Sequence, residues 1–124
     1  MAFSKKIREL VYSKYGGHCA YCGQEISIKD MQVDHFIPIA RNWPNGWLSE
    51  RGTDDISNLM PSCRACNFRK GMGTLEQFRK ALEHGISCCQ RDFTYRMMVR
   101  YGLVEEKPHS VIFYFEKEDS HEGK

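Results

Sequence analysis

Two cysteine pairs of identical spacing constrain this chain more than any other feature of it. Cys19-Ala-Tyr-Cys22 and Cys63-Arg-Ala-Cys66 each hold two thiols two residues apart, with 40 residues between the pairs. Thiolate is a soft ligand, and two such knuckles supply the tetrahedral sulfur set that zinc favours in closed structural sites. A compact zinc ribbon separates its knuckles by only about 15–20 residues. Here something is folded between the pairs, and zinc on Cys19, Cys22, Cys63 and Cys66 clamps its two ends. In a chain of 124 residues the metal would contribute on the order of 10 kcal/mol towards folding. Gly23 suits the tight turn that lets both thiols of the first pair meet one ion. Cys88 and Cys89 are adjacent, lack a partner pair, and are expected to be helix residues.

The length predicts one domain, large enough for a modest core. Hydrophobic content of 41% and charged content of 27% are ordinary for a soluble globular chain. No apolar run approaches the roughly 18 residues of a membrane span. Met1-Ala-Phe-Ser-Lys-Lys is basic but lacks the apolar stretch of a signal peptide. The expected compartment is therefore the cytoplasm, where thiols stay reduced and bind metal. Net charge is only +2, but it is uneven: residues 1–70 carry ten Lys/Arg against seven Asp/Glu, and residues 71–124 eight against nine. Any phosphate-binding face must be local and lie on the first half.

Ile7, Leu10, Val11 and Lys14 follow helical spacing, with Ser4 as cap and Gly16-Gly17 as terminator. Residues 31–37 favour a strand that Pro38 stops, and residues 58–60 a second one. Between them, residues 41–55 read as a long functional loop containing Trp43 and Trp47, which are expected more as core lids than as base contacts. A helix is predicted from Arg64 to Lys70, broken by Gly71 and Gly73. Another starts at the capping box Thr74-x-x-Gln77, with Leu75, Phe78, Ala81 and Leu82 on its apolar face, and ends at Gly85. Cys89, Phe93, Met97 and Tyr101 fall four apart and predict a further helix ending at Gly102. Val111-Ile-Phe-Tyr-Phe115, the strongest β-branched and aromatic run, predicts a strand.

The pattern Cys-x2-Cys, Asp34-His35-x-x-Pro38, Asn58-Leu59, then Cys-x2-Cys-Asn67-x-x-Lys70-Gly71 resembles the HNH endonuclease family of ββα-metal (His-Me finger) nucleases, in its zinc-knuckle form. The resemblance covers about residues 7–71. It implies His35 as general base, Asp34 and Asn67 on a catalytic Mg2+ or Mn2+, and Asn58 as a support for the loop carrying His35. The family is named for a final His, where this chain has Asn67. The residue types suit the chemistry on their own terms. An imidazole with pKa near 6.5 takes a proton from water at physiological pH, and a carboxylate and an amide carbonyl are hard oxygen ligands for such an ion. Adjacent strand residues point to opposite faces, so Asp34 and His35 share a site only where the strand ends or twists.

The expected protein is an α+β, zinc-clamped HNH core at residues 1–73, with a helical and strand extension of the same domain at 74–124. Its expected function is metal-dependent DNA cleavage in a bacterial or phage-infected cell. Arg64, Arg69 and Lys70, on the helix bearing Asn67, and Arg41 in the loop are expected to contact phosphates. Assembly as monomer or homodimer stays open. Two rivals are an inactive zinc-stabilised nucleic-acid-binding module, which would not need Asp34, His35, Asn58 and Asn67 together, and a zinc-knuckle adaptor for proteins, which would not need Asp-His-x-x-Pro.

Overall fold

The structure is a computed structural model and describes residues 3–39 and 52–122. The chain divides into two compact units, residues 1–75 with 112–124, and residues 76–111. The last segment, residues 112–124, groups with the first unit.

In the first unit, helix α1 spans Lys5–Ser13, and the Ser4 hydroxyl caps it by accepting from the Ile7 N–H at 3.2 Å. Its Val11 forms a core with Met31 and Leu59, ringed by Phe3, Ile7, Tyr12, Ile26 and Val33. Polar tips tie the helix down. Arg8 donates to the carbonyls of Ile28 and Met31 at 2.6 and 3.0 Å, and Lys14 donates to those of Ile56 and Leu59 at 2.5 and 2.6 Å.

Strands β1 (Gln32–His35) and β2 (Leu59–Ser62) pair antiparallel, with Asp34 opposite Met60 and His35 opposite Leu59. A 3-10 turn at Ile56–Asn58 leads into β2. Helix α2 (Arg64–Lys70) starts directly after Cys63 and stops at Gly71, as the sequence predicts. The first knuckle is bound to β2 by Ala20 N–H donating to the Pro61 carbonyl at 2.8 Å. Within that knuckle Gly23 has φ +79°, and a Cβ there would stand 2.6 Å from the Tyr114 ring. Both facts require glycine.

In the second unit, α3 (Leu75–Glu83), α4 (Gly85–Cys89) and α5 (Phe93–Arg100) follow one another. The helix expected through Cys89 and Phe93 is broken between them. Asp92 is the cap of α5, accepting from the Tyr95 N–H at 2.8 Å, and a capping carboxylate begins a helix rather than continuing one.

The strand expected at Val111–Phe115 is absent; helix α6 begins at Tyr114 and runs to Glu122. Glu116 reaches back to accept from the Phe113 N–H at 2.8 Å, the reciprocal half of a capping box. The N–H groups of Tyr114 and Phe115 donate to the carbonyls of Tyr21 and Ala20 at 3.0 and 2.8 Å. Phe113 and Phe115 meet the Tyr21 ring edge-on, with centroids 5.6 and 6.1 Å away. The aromatic run thus docks on the cysteine knuckle, where burial overrides strand propensity.

Phe113 is 2% exposed. Phe113→Ala should lower stability by about 3–5 kcal/mol, read as a shift of the urea midpoint with the slope unchanged.

Candidate active site and metal centre

The two knuckles converge as the spacing requires. One sulfur from each of Cys19, Cys22, Cys63 and Cys66 lies within 4.8 Å of the others, and Cys22 Sγ and Cys63 Sγ are 3.9 Å apart. Backbone N–H groups of Tyr21 and Cys66 donate to Cys19 Sγ and Cys63 Sγ, both at 3.4 Å, which favours thiolate. A hydrogen bond from Cys66 brings the Cys19 thiol down to about 4, and the Cys66 thiol is pushed up in return. Four soft donors closing on one point fit a tetrahedral ion with no open position, the arrangement of a structural zinc site. Cys88 and Cys89 lie elsewhere, exposed on α4.

The centre of expected chemistry lies at the end of β1. Asp34 is 4% exposed. Its Oδ2 accepts from the Tyr21 hydroxyl at 2.5 Å and faces Lys70 Nζ at 3.2 Å. Burial raises its pKa, against the opposing pull of the Lys70 ammonium, the Tyr21 hydroxyl and the nearby His35. Burial and the Asp34 charge push the Tyr21 hydroxyl far up, so it stays a donor. Asp34 Oδ1 holds no hydrogen bond among the described residues.

Lys70 requires a correction. Expected on a phosphate-contacting face, its side chain is 0% exposed, and it donates to the His35 carbonyl at 3.0 Å as well as pairing with Asp34. A buried ammonium is costly unless paired, so the carboxylate and the carbonyl hold it inward. Arg64 and Arg69 remain on the exposed side of α2. Arg41, Trp43 and Trp47 lie outside the described residues.

His35, the last residue of β1, is differently surrounded. Its Nε2 is 2.7 Å from Asp54 Oδ1, and its ring lies 5.9 Å from that of Phe3. Asp54 was not singled out by the sequence reading; the one available signal was an acidic pair, Asp54-Asp55, just upstream of Asn58. Asn58 itself is buried and locks the chain after β1. Its Oδ1 accepts from the Ile37 N–H at 2.8 Å, and its Nδ2 donates to the Ile37 and Thr53 carbonyls at 3.0 and 2.9 Å. Gly52 closes against the same place, donating to the Pro38 carbonyl at 2.9 Å. A Cβ there would collide with the Ile37 carbonyl.

Asn67 sits on α2 one turn before Lys70, half-buried, and its side chain holds no hydrogen bond among the described residues. No hydrogen bond joins its side chain to Asp34 among those residues. Asp34 Oδ1 and the Asn67 carbonyl are both hard oxygens, the ligand type that a small divalent cation takes.

The HNH endonuclease family model matches residues 19–73. No curated protein matches the chain. Among solved structures, the crystal structure of the Type II-C Cas9 enzyme from Actinomyces naeslundii is similar, with 23% identity and a TM-score of 0.50. The likeness covers 64% of this chain and 8% of that one, and at this identity it is one of fold.

Protein purified without added metal should contain one zinc per chain by elemental analysis, and Cys63→Ser should lose both the zinc and the cooperative thermal transition. Lys70→Ala should cost about 3–5 kcal/mol, because it leaves a buried carboxylate unpaired. Converting the pair together, Asp34→Leu with Lys70→Met, should recover most of that loss in a denaturant titration.

Proposed function

We propose that the chain is a metal-dependent DNA endonuclease, a reading supported by the HNH endonuclease family model that matches residues 19–73. The observation that carries the proposal is His35 at the open end of β1. Its imidazole is 19% exposed and its loop is held by Asn58. An imidazole that meets solvent from a rigid strand end is placed to act as a general base.

Asp34, through Oδ1, and Asn67 would hold the catalytic Mg2+ or Mn2+. When bound, such an ion neutralises charge on the leaving 3′ oxygen of the phosphodiester. The remaining work belongs to the chain. His35 takes the proton from the attacking water. Asn58 keeps residues 35–37 from moving with the imidazole as it becomes charged. Lys70 ties α2 to β1, so the Asp34 and Asn67 oxygens keep a constant relation. Arg64 and Arg69, exposed on α2, contact backbone phosphates, a sequence-independent and salt-sensitive attraction. We place this activity in the cytoplasm of a bacterial or phage-infected cell. No helix among the described residues is long and apolar enough to cross a membrane.

A second reading, an inactive zinc-stabilised DNA-binding module, is favoured by one observation. Lys70 already neutralises Asp34 inside a buried pair, which weakens that carboxylate as a metal ligand. The test that separates the two is nicking of supercoiled plasmid by zinc-loaded protein, with and without Mn2+. The parent should cut only with the added ion. His35→Ala should keep zinc and DNA binding while losing about 10²–10⁴-fold in rate, and extra Mn2+ should not rescue it. A parent that binds but never cuts, or a His35→Ala protein that cuts at the parental rate, decides for the binding module.

A further inference from the structure

We propose that Asp54 is the positioning residue for His35, holding the imidazole in one tautomer so that Nδ1 is the atom that takes the proton. The proposal rests on the nuclease reading above for its catalytic consequence, but not for its structural content.

An ionised carboxylate only accepts hydrogen bonds. A neutral imidazole that meets Asp54 Oδ1 at 2.7 Å through Nε2 must therefore carry its hydrogen on Nε2. Nδ1 is then left with the lone pair, and it holds no hydrogen bond among the described residues. The bond converts a ring with two equivalent choices into one with a single basic atom. Phe3 packs beside the ring, its plane inclined 47° to that of His35, and limits its rotation.

Asp54 does not reach His35 by chance of a loose side chain. The Thr53 carbonyl, directly before it, is held by Asn58 Nδ2 at 2.9 Å. The Asp55 carbonyl, directly after it, accepts from the Asn58 N–H at 2.8 Å. The same amide group also fixes Ile37, two residues beyond His35, through both its oxygen and its nitrogen. Asn58 thus sets the distance between the segment carrying the carboxylate and the strand end carrying the imidazole. This gives Asn58 a further duty in the site: it aligns two partners rather than one loop.

In the reaction, water loses a proton to Nδ1 as its oxygen forms a bond to phosphorus. The bond from phosphorus to the 3′ oxygen breaks, and that oxygen leaves with the electron pair and acquires a proton from solvent. The imidazolium that forms lies against the Asp54 carboxylate, whose charge stabilises it, until it returns its proton to solvent. Asp54 remains ionised throughout.

A surface ion pair with no such duty adds little to stability and nothing else. Asp54 is half-exposed, with a side chain 50% accessible. Its replacement therefore leaves the fold intact, and its effect on rate should fall well below the roughly 10⁴-fold of a fully buried triad carboxylate.

The experiment uses full-length, zinc-loaded protein with 15N-labelled histidine, as parent, Asp54→Asn and Asp54→Glu; His35→Ala assigns the His35 signals. In the parent, the neutral His35 ring should show a protonated Nε2 and an unprotonated Nδ1. Asp54→Asn should give a mixture of tautomers, and Asp54→Glu should restore the parental form in part. On supercoiled plasmid with Mn2+, Asp54→Asn should lower kcat by about tenfold or more with KM unchanged, and Asp54→Glu should recover part of the loss. A parental His35 protonated on Nδ1, a tautomer that Asp54→Asn leaves unchanged, or a parental kcat in Asp54→Asn would each overturn the proposal. Cleavage by His35→Ala at the parental rate would instead remove the nuclease reading, and the tautomer measurement alone would then decide the role of Asp54.

Discussion

Four sulfurs that meet within 4.8 Å are the constraint on which the rest of the first unit depends. The buried apolar cluster is small, with Val11, Met31 and Leu59 at its centre, and cannot by itself hold two short strands and a seven-residue helix in register. The knuckles do so by closing a 40-residue segment at both ends, so that α2 begins at a ligand and β2 ends beside one. Tyr21, between the first two ligands, carries this constraint outwards. Its hydroxyl reaches Asp34, and its ring receives Phe113 and Phe115. One knuckle residue therefore connects the metal clamp, the carboxylate of the site and the returning C-terminal segment.

The electrostatics of the site follow from how little room that frame leaves. Asp34 is too buried to be ionised cheaply, and burial alone raises its pKa. Lys70 and Tyr21 offset that penalty by meeting one carboxylate oxygen. The same contact joins α2 to β1, since Lys70 also holds the His35 carbonyl. A buried pair of this kind is weak support for stability when compared with apolar packing, but breaking it is costly. Lys70 thus acts as a structural link, while Arg64 and Arg69 stay exposed on the outer side of α2.

His35 and Asp34 are adjacent in sequence and meet different surroundings, as strand geometry requires. Asp34 turns towards α2 and the knuckle. His35, at the strand end, turns towards Phe3 and Asp54. Asn58 reconciles the two by fastening the chain immediately beyond them, so a site built on opposite faces of one strand keeps a fixed geometry. This division separates the group that would hold a cation from the group that would move a proton.

Much of this was determined by the sequence alone, because its signals are local. A serine cap, a glycine at positive φ and two thiols at fixed spacing act within a few residues, so α1, the knuckles and α2 lie where they were expected. The paired Cys-x-x-Cys motifs likewise announced the cluster of four sulfurs. Three features were decided only by tertiary structure. Lys70 reads as one more basic residue on a helix until the approach of β1 buries it against Asp34. Val111–Phe115 reads as a strand until Tyr21 and the Ala20 carbonyl offer its rings and N–H groups a better place. Asp54 lies 19 residues from His35, and no short-range pattern records that they meet. In each case the deciding term is desolvation or a partner supplied from far along the chain, and propensity and spacing carry no information about either.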